Sequence, residues 1–254
     1  MIPALFLAHG SPMMAIENNK YTEFLNSLGK SMNPKAIVVF TAHWDSDLLT
    51  ISSMEDSYNT IYDFYGFPRE LYEIKYPAKG SKVLATRISE LLQAHGISSK
   101  ENTIRGLDHG AWTLLMHLYP EANIPVVQIS VNPRLAIKEQ LKIGAALKIL
   151  GQKDILVLGS GNSVHNLGAV KWNDTSVDAW AKNFDDWIIS KIETNDIEAL
   201  DDYRKLAPNA TLAVPTAEHF VPLFIAMGSG NSEKPEVIHR TYELGNLSYL
   251  CYRF

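Results

Sequence analysis

The sequence predicts an α/β protein, a single domain over residues 1–254 with three layers, α/β/α, and a largely parallel central sheet. Three observations predict it. Short apolar runs closed by Gly, Ser or Pro recur along the chain. Amphipathic stretches of helical period fall between them, the alternation that builds parallel sheets covered by helices. No repeat, low-complexity linker or composition break divides the 254 residues, which suffice for one large domain of this class or two small ones.

The elements follow in order. Residues 4–8, "ALFLA", read as a buried strand ended by His9 and the turn Gly-Ser-Pro. Residues 36–42, "AIVVFTA", read as a second strand, and "LLTISSM" at 48–54 can add another. A helix is expected over 81–95, a strand over 124–131, a helix over 136–150, a strand over 154–160 and a helix over 178–194. In "VPTAEHFVPLFIAMGSG", Thr216 is placed to cap a helix whose first turn holds Glu218 and His219, with Gly228 and Gly230 ending it. Pro222 then falls in the early turns and predicts a kinked or partly separate first turn. "LSYLCYRF" at 247–254 reads as a final strand.

Composition excludes several classes. Hydrophobic residues make up 46% and charged residues 20%, which suits a soluble globular chain and not a disordered one. The net charge is −5 with no long basic run, so neither nucleic acid nor an anionic membrane is an expected partner. A lone cysteine, Cys251, permits no internal disulfide and no thiolate-rich metal site, and fits a reducing cytoplasm. The apolar residues 2–8 are too short for a signal peptide or a membrane span and have no positive region before them. A cytoplasmic protein is therefore expected. No pattern in the chain specifies an oligomeric state.

Three of the apolar runs end on the same residue type. The first delivers His9, the second His43 in "TAHWD", and the strand at 154–160 leads through "GSGNSVHN" to His165. In an open parallel sheet the carboxyl ends of the strands share one edge, where α/β proteins place ligands. One histidine after a strand is more often a hydrogen-bonded structural residue. Three in one topological position point to a metal site, because neutral imidazole is the commonest side-chain ligand for zinc, iron and related ions. His95 and His239 are expected to face solvent, and His117, in "LLMHLYP", to pack. His109 in "GLDHGAWT" reads either as an exposed, turn-held imidazole available for catalysis or as a helix N-terminal residue beside a capping Asp108.

Together "AHGSP", "TAHW", "DHGAW", "GSGNSVHNL" and "PTAEHFVPL" resemble the class III extradiol ring-cleavage dioxygenases, in the DOPA-dioxygenase branch. The motifs stand in family order from near Ala4 to Gly230; one would be weak, five in order are specific. The resemblance implies a mononuclear non-haem Fe(II) and cleavage of a catechol such as DOPA beside its two hydroxyls, with O2 as co-substrate and both oxygen atoms incorporated. It also implies zinc as the metal found in purified or crystallised protein. His9, His43 and His219 match the family's metal positions, with His165 at or beside the metal. His109 and His165 match the positions of acid/base work and substrate contact.

More distant members of the class use two histidines and a glutamate. Here Glu218 and His219 are adjacent, and neighbours on a helix point about 100° apart, so both are not expected on one metal. The branch has histidine there, which leaves Glu218 to support or cap. An all-histidine site also suits zinc. "WDSD" after His43, Trp112 and "YDFYGF" at 62–67 offer aromatic walls for a planar ring, though plain core packing competes residue by residue.

Two other functions use the same residues. A zinc hydrolase would activate water on an amide or ester, with His109 or Glu218 as general base. A binding protein would keep the pocket without the chemistry, against which the five histidine-bearing positions speak. Ser160 and Ser163 suggest a serine hydrolase only weakly, since "GSGNS" lacks the spacing of a nucleophile elbow.

Overall fold

Alternating side chains on the central strands explain the layering. The computed structural model describes residues 1–172, 176–232 and 234–254. Its longer elements, in chain order, are β1 (Leu5–Ala8), α1 (Lys20–Lys30), β2 (Ala36–Asp45), β3 (Leu49–Ser52), α2 (Lys82–Ala94), β4 (Ser99–Asn102), α3 (His109–Leu118), β5 (Val126–Val131), α4 (Ile137–Leu147), β6 (Ile155–Gly161), α5 (Ala179–Glu193), α6 (Val221–Ser229), β7 (Glu236–His239) and β8 (Cys251–Arg253).

The eight strands form one sheet in the order β4-β3-β5-β2-β6-β1-β8-β7. The four middle strands, β5, β2, β6 and β1, run parallel, while β3 meets β5, β8 meets β1 and β7 meets β8 antiparallel. The largely parallel α/β sheet is as the apolar runs predict. Phe6, Val38, Phe40, Val127, Ile129 and Val157 face one way, toward apolar residues of α2, α4, α5 and α6. Leu5, Leu7, Ile37, Val39, Leu156 and Leu158 face the other, against Tyr21 and Leu25 of α1 and Trp112 and Leu114 of α3. Period-two alternation with both faces apolar gives a sheet buried on both sides. Fully burying one such side chain is worth about 1.5–3 kcal/mol. Among the described residues no helix is long and apolar enough to cross a membrane.

The helices begin where capping chemistry allows. Ser81 caps α2, its hydroxyl accepting from the Leu84 amide. Asn19 and Thr22 form a reciprocal capping box at α1, an element the sequence pattern does not announce. Three departures matter for the site. Strand β2 runs on to Asp45, so His43 lies within the strand and not after it. Helix α6 starts at Val221, so Thr216 is no cap and Glu218 and His219 sit in the turn before it. Pro222, in the first turn of α6, therefore helps start that helix and does not kink it. The final run divides: Leu247–Ser248 pairs with Tyr242–Glu243 in a small hairpin, and only Cys251–Arg253 joins the main sheet.

Register brings the strand ends together. Ala8 of β1 pairs with Gly161 of β6, and Thr41 of β2 pairs with Ser160. The chain leaving β1, the last turn of β2 and the loop after β6 are thus side by side at one sheet edge.

Candidate metal centre

His9 follows β1, is fully buried, and stands with its Nε2 3.1 Å from Nε2 of His43. His219 arrives from the turn before α6. One ring nitrogen from each of His9, His43 and His219 lies within 4.8 Å of the others, so a single ion can be shared by the three. His109, the first residue of α3, packs its ring 4.0 Å from that of His43 and 5.6 Å from that of His9. His165 stacks flat on His219 with ring centres 3.8 Å apart and planes 6° from parallel. All five imidazoles that the sequence singles out therefore meet at one end of the sheet. The expectation that His165 also binds the metal is not matched by this stacking: its ring lies against His219, outside the group whose nitrogens converge.

Close backbone packing sets this geometry. A Cβ on Gly110 would lie 2.8 Å from Cδ2 of His43, and one on Gly161 would lie 2.1 Å from the His219 carbonyl oxygen. Only glycine lets the first turn of α3 and the end of β6 approach so closely. The Asn162 amide donates to that same His219 carbonyl at 2.8 Å, and the His165 amide donates to the Ala213 carbonyl at 3.1 Å. The loop after β6 is thereby tied to the turn that carries His219.

The hydrogen bonds decide which nitrogens carry protons. The Ser160 hydroxyl donates its one proton to the Gly110 carbonyl, so at 2.9 Å it must accept from Nδ1 of His9. A carboxylate can only accept, so Asp63 Oδ2 takes the Nδ1 proton of His43 at 3.1 Å and Asp63 Oδ1 that of His109 at 3.0 Å. Glu218 Oε1 takes the Nδ1 proton of His219 at 3.1 Å. With a proton held on Nδ1, each of these four rings turns its Nε2 toward the site. The Nε2 atoms of His9 and His43, 3.1 Å apart, share a proton when no metal is bound, and that spacing suits two ligands each about 2.0–2.1 Å from one ion. The residues fit a metal.

Electrostatics agree. Burial, then the other imidazoles, holds His9 well below the usual imidazole value. Burial likewise lowers His219 to about 4 and His165 to about 3, the other imidazoles adding to it. Burial lowers His109 too, although Asp63 opposes it. Burial works against ionising Glu218, but its bonds from His219 and Thr216 prevail and bring it down to about 2. Burial also opposes ionised Asp63, and the hydrogen bonds from His109 and His43 again prevail, leaving it lowered. His9, His109, His165 and His219 are thus held as neutral imidazoles, with ionised Asp63 and Glu218 behind the cluster, the form metal binding requires.

The remaining residues divide. His109 is buried and heads a helix capped by Asp108, whose carboxylate accepts from the Ala111 amide; the exposed, turn-held ring is thus corrected, and the helix-start alternative describes it. Its Nε2 is still free. Phe64 meets His109 edge to face with ring centres 5.7 Å apart. Trp112 is fully buried, donates to the Ile61 carbonyl at 3.0 Å and supports Phe64 from behind. Trp44 is buried under the Arg105 guanidinium. His95 is exposed and His117 is half-buried, its Nε2 2.8 Å from the Met14 carbonyl. His239 is half-buried against Tyr21 and Phe24, where the sequence predicts solvent exposure.

Sequence reasoning misses three supports: Asp63, Ser160 as the partner of His9, and Arg105, which donates to the His43 carbonyl at 3.0 Å and to Asp108 at 3.1 Å. In the sequence Asp63 is one residue of an aromatic run. A polar residue between Tyr62 and Phe64 is the available signal, but its partners lie far along the chain.

Comparisons with known proteins identify the family. Residues 3–254 match the family described as the catalytic LigB subunit of aromatic ring-opening dioxygenase. The chain is 43% identical to a 4,5-DOPA dioxygenase extradiol of Beta vulgaris over 98% of its length and 95% of the relative's. It is 38% identical to a 4,5-DOPA dioxygenase extradiol of Escherichia coli K12, over 98% and 93% of the two chains. A crystal structure of an uncharacterized Escherichia coli K12 protein superposes with a TM-score of 0.85 at 34% identity, covering all of both chains.

Proposed function

The chain belongs to the family of the catalytic LigB subunit of aromatic ring-opening dioxygenases and is an extradiol ring-cleaving dioxygenase, and we propose that it opens catechols such as DOPA with Fe(II) held by His9, His43 and His219. The facing pair of Nε2 atoms 3.1 Å apart on His9 and His43 carries the metal reading. The relatives named above are extradiol dioxygenases, which leaves the zinc-hydrolase alternative unsupported by them.

Bound there, Fe(II) would supply the redox change and the open coordination positions that a catechol and O2 need, which zinc, without an accessible redox change, does not. The rest falls to this chain. His109 keeps its Nε2 lone pair because Asp63 holds the Nδ1 proton, so it takes a proton from a catechol hydroxyl and Asp63 balances the resulting imidazolium. The proton His109 has taken is the one returned to the departing oxygen, with His165, which burial keeps a neutral imidazole at pH 7, placed to relay it. Phe64 gives the ring an apolar face beside His109. Zinc suits the all-imidazole set as well and is expected in protein purified without added iron. A cytoplasmic setting accords with the lone buried Cys251.

The test is anaerobic Fe(II) reconstitution followed by O2 uptake against a panel of substituted catechols. One O2 per catechol with a yellow product supports the reading; catechols left intact while an amide or ester is hydrolysed restore the hydrolase.

A further inference from the structure

We propose that Asp63 is a positioning residue that fixes the ring orientation and Nδ1–H tautomer of His43 and His109 at the same time, so that His43 turns Nε2 to the metal and His109 turns Nε2 to the substrate. The inference rests on the reading above, in which His43 is a ligand and His109 the base.

Asp63 lies in the irregular segment between β3 and α2 and bridges two rings on different elements. Its Oδ2 is 3.1 Å from Nδ1 of His43 in β2, and its Oδ1 is 3.0 Å from Nδ1 of His109 at the start of α3. The His109 backbone amide donates to the same Oδ1 at 3.0 Å. Three donors thus meet one carboxylate whose side chain is 24% exposed. Because the carboxylate has no proton to give, both rings must carry theirs on Nδ1. His43, His109 and Asp63 also bring ligand atoms within 4.8 Å of one another. Their mutual hydrogen bonds account for that closeness, and a second ion there would have to displace both Nδ1 protons.

An amide in place of the carboxylate separates the two effects. Oδ1 receives two N–H groups from His109, so the side chain introduced by Asp63→Asn keeps its oxygen there and turns its NH2 toward His43. Two donors then face each other, and His43 relieves the clash by moving its proton to Nε2, the atom that faces His9. His109 keeps its proton on Nδ1. An alanine releases both rings.

The experiment reads tautomers and metal affinity, using 15N shifts of the imidazole nitrogens in metal-free protein and Zn(II) affinity by chelator competition. In the unaltered protein both rings should show Nδ1–H. Asp63→Asn should move only the His43 proton and weaken Zn(II) binding by about 10–100-fold, the usual cost of losing a carboxylate behind a metal-binding histidine. Asp63→Ala should weaken zinc similarly and, at saturating Fe(II), lower kcat as His109→Ala does, with the double substitution no slower than His109→Ala. Either ring lacking a proton on Nδ1 in the unaltered protein, or Asp63→Asn and Asp63→Ala binding zinc as tightly as it does, overturns the proposal. The first readout needs no substitution, so a poorly folding variant leaves the proposal testable. Normal catechol-dependent O2 uptake alongside unaltered tautomers removes only the role of Asp63, whereas failed uptake in the unaltered protein removes the dioxygenase reading.

Discussion

Nε2 of His9 and Nε2 of His43 face each other across 3.1 Å, while Ser160 and Asp63 hold the Nδ1 protons on the far side of the two rings. Such a facing pair suits a metal ion. The protein as purified should hold about one metal per chain, and combined His9→Ala and His43→Ala should abolish it, because a single imidazole is too few ligands. Metal analysis of the double variant checks this; undiminished metal would remove the site.

His219 and Glu218 divide the remaining work. Nδ1 of His219 is bonded to Glu218, which turns Nε2 into the site, and in the proposed centre His219 binds the ion while Glu218 orients it. His219→Ala should strip the metal, whereas Glu218→Gln should weaken it only about 10–100-fold. If Glu218→Gln strips it and His219→Ala does not, the site is of the two-histidine, one-carboxylate type.

Gly110 sets the distance between α3 and His43. Alanine favours helix over glycine by about 1 kcal/mol, yet its Cβ would stand 2.8 Å from the His43 ring. Because β2 is held on both sides by β5 and β6, the ring should move and not the strand. Gly110→Ala is expected to fold with little change in Tm and to bind Zn(II) more weakly in chelator competition; unchanged affinity would show that the ring has room.

The parts of this site that are legible in the sequence are those announced by the strands. An apolar run ending in histidine marks its position whatever the fold does elsewhere, so His9, His43 and the approach to His165 stand out. His43 nonetheless lies inside β2, since pairing of Asp45 with Val131 extends the strand past the apolar run. Thr216 has the chemistry of a cap, which places Glu218 and His219 in a helix on sequence grounds; its hydroxyl instead donates to Glu218. Asp63 stays hidden because its partner His109 is 46 residues away and no periodicity connects them. Strands β4 and β7 are short and partly exposed, without the apolar signature of the buried middle. Their place in the sheet is a tertiary outcome.

Acid should loosen the metal-free protein. Burial, with the neighbouring imidazoles, lowers His165 to about 3 and His219 to about 4, and depresses His9 and His109 as well. The unfolded chain takes up these protons near pH ~6.5, before the folded form does, so stability falls as pH drops below that value and goes on falling to about pH 3–4. The slope should be roughly 1 kcal/mol per pH unit for each such group. Urea midpoints of chelator-treated protein between neutral and mildly acid pH measure it. A flat profile, or one unchanged by combined His165→Gln and His219→Gln, would contradict the burial argument.

The central claim, that this chain opens a catechol ring beside its hydroxyl pair, is tested most directly by the mass and structure of the product formed from DOPA by Fe(II)-loaded protein under isotopically labelled O2. The account predicts a ring-opened semialdehyde acid that carries both atoms of one O2 molecule, cleaved outside the two hydroxyl-bearing carbons. Cleavage between those carbons, or DOPA converted to a quinone with no label in the product, would contradict it.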